Sequence, residues 1–419
     1  MLFLLYIDPG TGSMLFSLFI TLAATLTFVF RALFLKIRFV LSLGKRKESI
    51  DSKNIPIVIF SDHKRYWNVF KPICDEFEKR GVSLVFCTAS ADDPALSAEY
   101  RFVRAEYLGE GNKPYARLNM LHADVLVATT PNLGVFQWKR SRFVKEYVHI
   151  PHSVDELAGY RMFSMDHYDA VLTTGRNQEG LIRALETMRP KTGRKELFCV
   201  GSPALDVLKQ KWDGKKSLEP DSGGVTVLLA PSWGAGAILS RYGKRLLSAL
   251  VKTGFRIVVR PHPQSVVSEQ HVLKPLVEQF GTVEWNFDND NFEAMCKSSI
   301  LITDFSGIIF DYALVFDKPL LYAEATFDTI EYEADWLSET RWALRAVEKI
   351  GVRLCERDFD RISDVVVKAI CDKNLSVARD EVRRECWGHV GKSAELAADW
   401  LIEKQRALSL GQESFEGGK

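Results

Sequence analysis

The sequence predicts an α/β chain with two Rossmann-like halves facing a cleft, preceded by an N-terminal membrane segment. Three observations carry that expectation. From residue 55 onward, short apolar runs alternate with stretches of helical period. The alternation stops once, at a polar and charged stretch over 208–224, and then restarts. Ahead of it all, residues 14–30, "MLFSLFITLAATLTFVF", carry no charge.

As a helix the uncharged run spans roughly 26 Å, close to the hydrocarbon thickness of a bilayer. Only Asp8 is charged before it, whereas Arg31, Lys36, Arg38, Lys45, Arg46 and Lys47 follow it. That asymmetry places the bulk of the chain in the cytoplasm. No basic region precedes the run and no small-x-small site follows it, which argues against a cleaved signal peptide. Residues 1–47 are therefore expected to be a membrane anchor with a basic amphipathic flank at the inner membrane face, in contact with membrane lipid.

The first half is expected over 55–207. Strands are predicted at 55–60, 82–87, 124–128, 146–150, 170–173 and 197–200, with a helix over 71–80 stopped by Gly81. Residues 208–224, rich in Gly, Pro and charge, read as an interdomain linker. The second half, 225–410, repeats the rhythm with strands at 225–230, 256–259, 283–286, 300–303 and 319–322. The amphipathic stretch 395–408 can pack on either half. Ligands of such sheets sit at the carboxyl ends of the strands.

Composition narrows the function. At 47% hydrophobic and 26% charged the chain is globular. A net charge of +1 gives no global pull toward nucleic acid, and no such partner is expected. The seven cysteines show no metal-ligand or disulfide spacing. No P-loop pattern occurs, and Asp288 and Asp290 read as a solvated turn. Neither a metal nor a cofactor is expected.

The chemistry gathers at predicted strand ends. In "YVHIPHSVDE" (147–156) the strand stops at Pro151, and Ser153 to Glu156 matches a capping box. A helix from Ser153 would leave His152 at its positive end, where a neutral imidazole is favoured. A neutral imidazole is what a general base for an alcohol requires, and a polar strand–helix corner is the plainer alternative. In "RPHPQS" (260–265) two prolines hold His262 on a stiff connection. In "ILITDFSGIIFDYAL" (300–314) a strand meets a helix almost without a loop. Ser306 can cap that helix, and Gly307 admits an anion to its first N–H groups. Ser232 and Gly234 in "LLAPSWG" can add donors to the same anion.

Taken together these segments resemble the CDP-glycerol glycerophosphotransferase family of teichoic-acid and capsule-polymer synthesis. The resemblance runs over roughly 55–400 and is most specific in "SSILITDFSGIIFDYALVFDKPLLYAE" (298–324), with "RPHP" and "APSWG" agreeing upstream. It implies a GT-B-like pair of domains, a CDP-alditol donor bound mainly by the second, and a lipid-linked or polysaccharide acceptor. On that resemblance His262, Ser306 and Gly307 contact the donor diphosphate, with Arg260, Ser232, Thr303 and Asp304 around it, and His152 faces the acceptor. The expected reaction moves an alditol phosphate, glycerol phosphate foremost, to an acceptor hydroxyl and releases CMP. Two departures are visible: the family's His-Gly is here His152-Ser153, and its TDYSS is TDFSG. A glycosyltransferase or sugar-nucleotide epimerase of the same fold, or a non-catalytic membrane-bound nucleotide-binding protein, are the alternatives.

Overall fold

The computed structural model describes residues 54–155, 157–216, 224–288, 290–323, 332–336 and 341–416. The uncharged run 14–30 and its basic flank lie outside the described residues. Among the described residues no helix is long and apolar enough to cross a membrane.

Two all-parallel sheets organise the chain. The first contains β1 (Ile55–Ser61), β2 (Leu84–Thr88), β3 (Val103–Tyr107), β4 (Ala123–Ala128), β5 (Val144–His149), β6 (Ala170–Thr173) and β7 (Glu196–Cys199). Its order is β3-β2-β1-β4-β5-β6-β7. The second contains β8 (Thr226–Leu229), β9 (Arg256–Val259), β10 (Glu284–Trp285), β11 (Ile300–Thr303), β12 (Leu320–Ala323) and β13 (Gly351–Leu354), in the order β10-β9-β8-β11-β12-β13. Both orders reverse direction once, between β1 and β4 and between β8 and β11. This is the doubly wound pattern, which opens a crevice at each reversal.

The central strands are wholly buried, as helices on both faces require: β4, β8 and β11 have no exposed residue. Helix Trp67–Arg80 turns Val69, Phe70, Ile73, Cys74 and Phe77 inward and ends at Gly81, whose φ of +67° suits glycine. The predicted elements are found with shifts of a few residues, but β3 and β13 were not anticipated. Both are edge strands, and half or more of their residues keep some exposure.

Residues 208–216, read from the sequence as the start of a linker, continue a helix that begins at Pro203 and ends at Lys216. Residues 217–223 lie outside the described residues. The last helix, Ser393–Glu416, follows the second sheet in the chain but packs on the first, with Ala397, Ala398, Trp400, Leu401 and Ile402 in the core around β1 and β4. The sequence left its packing open to either half, and the structure settles it on the first. Asp206 pins the crossing: its carboxylate accepts from Trp387 Nε1 (3.0 Å), Gly391 N (2.7 Å) and Ser393 N (2.9 Å). Gly201, at φ +91°, lies so close to Gly388 that a Cβ there would stand 2.1 Å from its carbonyl oxygen.

Candidate active site

The crevice of the second sheet is built by the ends of β8, β9 and β11, which are adjacent strands. Ser232, His262, Ser306 and Gly307 all follow these ends within a few residues, so the fold brings the C-terminal candidates to one rim. Asp304 holds that rim in shape. It is 4% exposed, and its carboxylate accepts from Ser232 N (2.8 Å), Phe305 N (2.8 Å) and Ile238 N (2.9 Å). Thr303 donates its hydroxyl to Ala230 O at 2.7 Å and ties β11 to the loop after β8. Both side chains are thus spent on backbone, and their place in the site is as braces rather than as phosphate ligands. Arg260 donates its guanidinium to Asn286 Oδ1 and, at 2.7 Å, to Asp288 O.

His262 is half-buried and caps helix Pro263–Ser268, its Nδ1 accepting from Gln264 N at 3.1 Å. That bond assigns the ring proton of the neutral imidazole to Nε2, which is left as a donor. Burial pushes its pKa below the usual histidine range, against the pull of the nearby Asp304 and Glu269 carboxylates. The exposed Trp233 ring lies 6.4 Å from the His262 ring. The Ser232 hydroxyl is buried and has no partner among the described residues.

Ser306 does not cap the following helix with its side chain. Gly307 occupies the cap position, and the helix runs as Ile308–Phe310 and then as a π-helical turn, Asp311–Val315. Gly307 is exposed, and a Cβ built on it would meet no atom within 4 Å. The first amides of such a turn lack intrahelical partners and face an open approach.

The capping box at Ser153 does not form a helix. Residues 152–155 bend, Glu156 lies outside the described residues, and only a 3-10 turn, Leu157–Gly159, follows. The loop instead folds inward: Gln178 Nε2 donates to Ser153 O and Asp155 O, each at 2.9 Å. Val154 is buried in the apolar cluster that also holds Ile309, Phe310 and Trp387. Packing against a second element won over the local cap. It also brings the loop near the turn that follows Gly307, where the Asp155 carboxylate acts on Asp311.

His152 keeps an exposed edge although protein crowds the rest of it. Its pKa is lowered, but by burial first and the Arg65 cation second, not by a helix end. The open edge limits how far. Its ring lies 5.0 Å from Tyr66 and 6.2 Å from Tyr160, nearly parallel to the latter. Tyr160 Oη stands 3.4 Å from His152 Nδ1 and 3.4 Å from Nε2 of His149, whose pKa full burial drives to about 3.

Several of these groups escaped the sequence reading. Tyr160 and Tyr66 belong to no motif. Asp62, at the reversal between β1 and β4, is raised by burial, and only the topology draws attention to it. Burial, then the Asp155 carboxylate, push Asp311 up to about 7. Asp311 stood inside the quoted "IIFDYAL", but its meeting with Asp155 needed the tertiary fold.

Residues 160–337 match the model of the CDP-Glycerol:Poly(glycerophosphate) glycerophosphotransferase family. No curated protein matches the chain. Among solved structures the chain is similar to the wall teichoic acid polymerase TagF, at 15% identity over 90% of this chain and 98% of that one, with a TM-score of 0.57. It is similar to a variant of that polymerase soaked with CDPG at 14% identity, the same shares and a TM-score of 0.58. The family match bears out the resemblance drawn from the motifs, and with it the expectation of a transferase. His262, Ser306 and Gly307 fall inside the matched residues and His152 just ahead of them. The structural likeness bears out the GT-B-like α/β architecture.

Proposed function

We propose that this chain transfers an alditol phosphate, glycerol phosphate foremost, from a CDP-linked donor to a hydroxyl of a lipid-linked or cell-surface polymer, releasing CMP. The observation that carries the reading is the nearness of the His152 loop to the turn after Gly307: Val154 shares one buried cluster with Ile309 and Phe310, and the Asp155 carboxylate acts on Asp311. In this reading a base on one half faces an anion site on the other.

In this reading the donor diphosphate lies over the β8–β11 crevice. The first amides after Ser306, the Nε2–H of His262 and the Ser232 hydroxyl receive its oxygens. His152 Nε2 takes the proton of the acceptor hydroxyl, whose oxygen attacks the phosphorus that carries the alditol. The bond from that phosphorus to the bridging oxygen breaks, and CMP leaves with the electron pair. Donors already in place around the leaving phosphate stabilise its growing charge without reorganisation. A lipid-linked acceptor agrees with the uncharged run 14–30 and its basic flank, which would seat the enzyme at the inner membrane face.

The test pairs two variants. His152→Ala should leave donor affinity nearly intact while CMP release falls by about 10²–10⁴-fold, the range of general-base catalysis. His262→Ala should weaken donor binding as well, because its partner is charged before reaction begins. Near-normal turnover in folded His152→Ala would overturn the assignment of the base.

A further inference from the structure

The hydroxyl of Tyr160 stands between two imidazoles at equal distance, 3.4 Å from His149 Nε2 and 3.4 Å from His152 Nδ1. The Tyr160 ring lies at 20° to His152 and edge-on, at 89°, to His149. His149 closes β5 and is fully buried, and its Nδ1 has no partner among the described residues.

Tyr160 is itself held from the second half. Its carbonyl accepts from Glu333 N at 2.8 Å, and Arg161 pairs antiparallel with Tyr332. The wholly buried Glu333 accepts from Ser164 N at 3.2 Å and from Arg189 at 2.7 and 3.0 Å.

We infer that Tyr160 is a positioning residue: its hydroxyl accepts the Nδ1 proton of His152 and donates its own to His149 Nε2, so that His152 presents the Nε2 lone pair to the acceptor. The inference rests on His152 being the base, and proton counting then dictates the order. A neutral ring with its lone pair on Nε2 carries its proton on Nδ1. The tyrosine oxygen must accept that proton, and its single hydrogen is left for His149. His149 can accept only while neutral, and burial without a charged partner keeps it so. Once His152 takes the acceptor's proton, its Nδ1–H bond to Tyr160 becomes charge-assisted and no group has to turn.

The experiment uses full-length protein with ¹⁵N-labelled histidine, wild type and Tyr160→Phe, which keeps the ring and removes the hydroxyl. The wild-type spectrum should show His152 protonated on Nδ1 and bare on Nε2, and Tyr160→Phe should mix the two tautomers. The variant should lose roughly three- to tenfold in kcat, with donor KM and melting temperature unchanged. A purely structural tyrosine would move the melting temperature and leave the tautomer alone. An Nε2–H tautomer in the wild type overturns the inference, as does an unaltered tautomer in Tyr160→Phe. If His152→Ala keeps its turnover while Tyr160→Phe still mixes the tautomers, the base assignment fails and the tautomer lock stands.

Discussion

Replacing Asp304 by Asn separates two roles that the sequence could not tell apart. Its carboxylate receives three backbone N–H groups, two on Oδ1 and one on Oδ2, and only 4% of the residue is exposed. An asparagine can turn one oxygen toward Ser232 and Phe305, but its NH₂ then meets the Ile238 N–H donor to donor. One charge-assisted bond is lost, and a buried donor goes unpaired. Together these should cost about 2–4 kcal/mol. For the compact unit Asn54–Lys419 that corresponds to a drop in Tm on the order of 3–5 °C. Donor affinity should fall too, since the loops after β8 and β11 that Asp304 joins are those proposed to carry the anion site. Thermal unfolding and calorimetric titration with CDP-glycerol read both effects. The opposite role has the opposite sign: a carboxylate facing the diphosphate would repel it, and Asn would then bind donor more tightly. A variant that melts like the wild type and binds donor more tightly would refute the account of Asp304 as a brace.

Gly307→Val should fold normally, because no atom stands within 4 Å of the new Cβ and the backbone there is ordinary right-handed helix. Its branched side chain should nevertheless cost about ten- to a hundredfold in donor affinity by blocking the approach to the turn; unchanged affinity would place the diphosphate elsewhere. His149 predicts an acid-sensitive fold. Its folded pKa of about 3 lies below the ordinary 6.5, so the unfolded chain binds the proton more readily. The stability tied to its neutral form is complete above about pH 6.5 and is lost as pH falls toward 3, to a limit of roughly 5 kcal/mol. Urea midpoints of wild type and His149→Gln between pH 7 and 4 should converge as pH falls, and parallel curves would rule the effect out.

Sequence by itself determined the parallel-sheet class, most of the strands and the rim that carries His262, Ser306 and Gly307. Central parallel strands are buried on both faces, so they appear as runs dominated by Ile, Leu and Val, such as "ILIT" and "TVLL". Strand ends then follow directly. The edge strands β3 and β13 were missed because partial exposure dilutes that signal. Side-chain direction was beyond the motifs. Asp304, Thr303 and Arg260 lie in the family-like blocks, yet tertiary contacts turn all three toward backbone or loop partners. The Ser153 capping box lost to the burial of Val154 and the pull of Gln178, contacts with residues about 25 or more positions away in the chain. His152 was legible as a histidine at a strand end, but the reason its imidazole stays neutral was not. That reason is desolvation by the surrounding protein and the nearby Arg65 cation. Tyr160, His149 and Asp62 converge only because β1, β4 and β5 lie side by side and a segment of the second half holds the Tyr160 loop down. A local pattern can specify which backbone a residue prefers. Which groups share a dielectric and a proton depends on distances set by the whole fold.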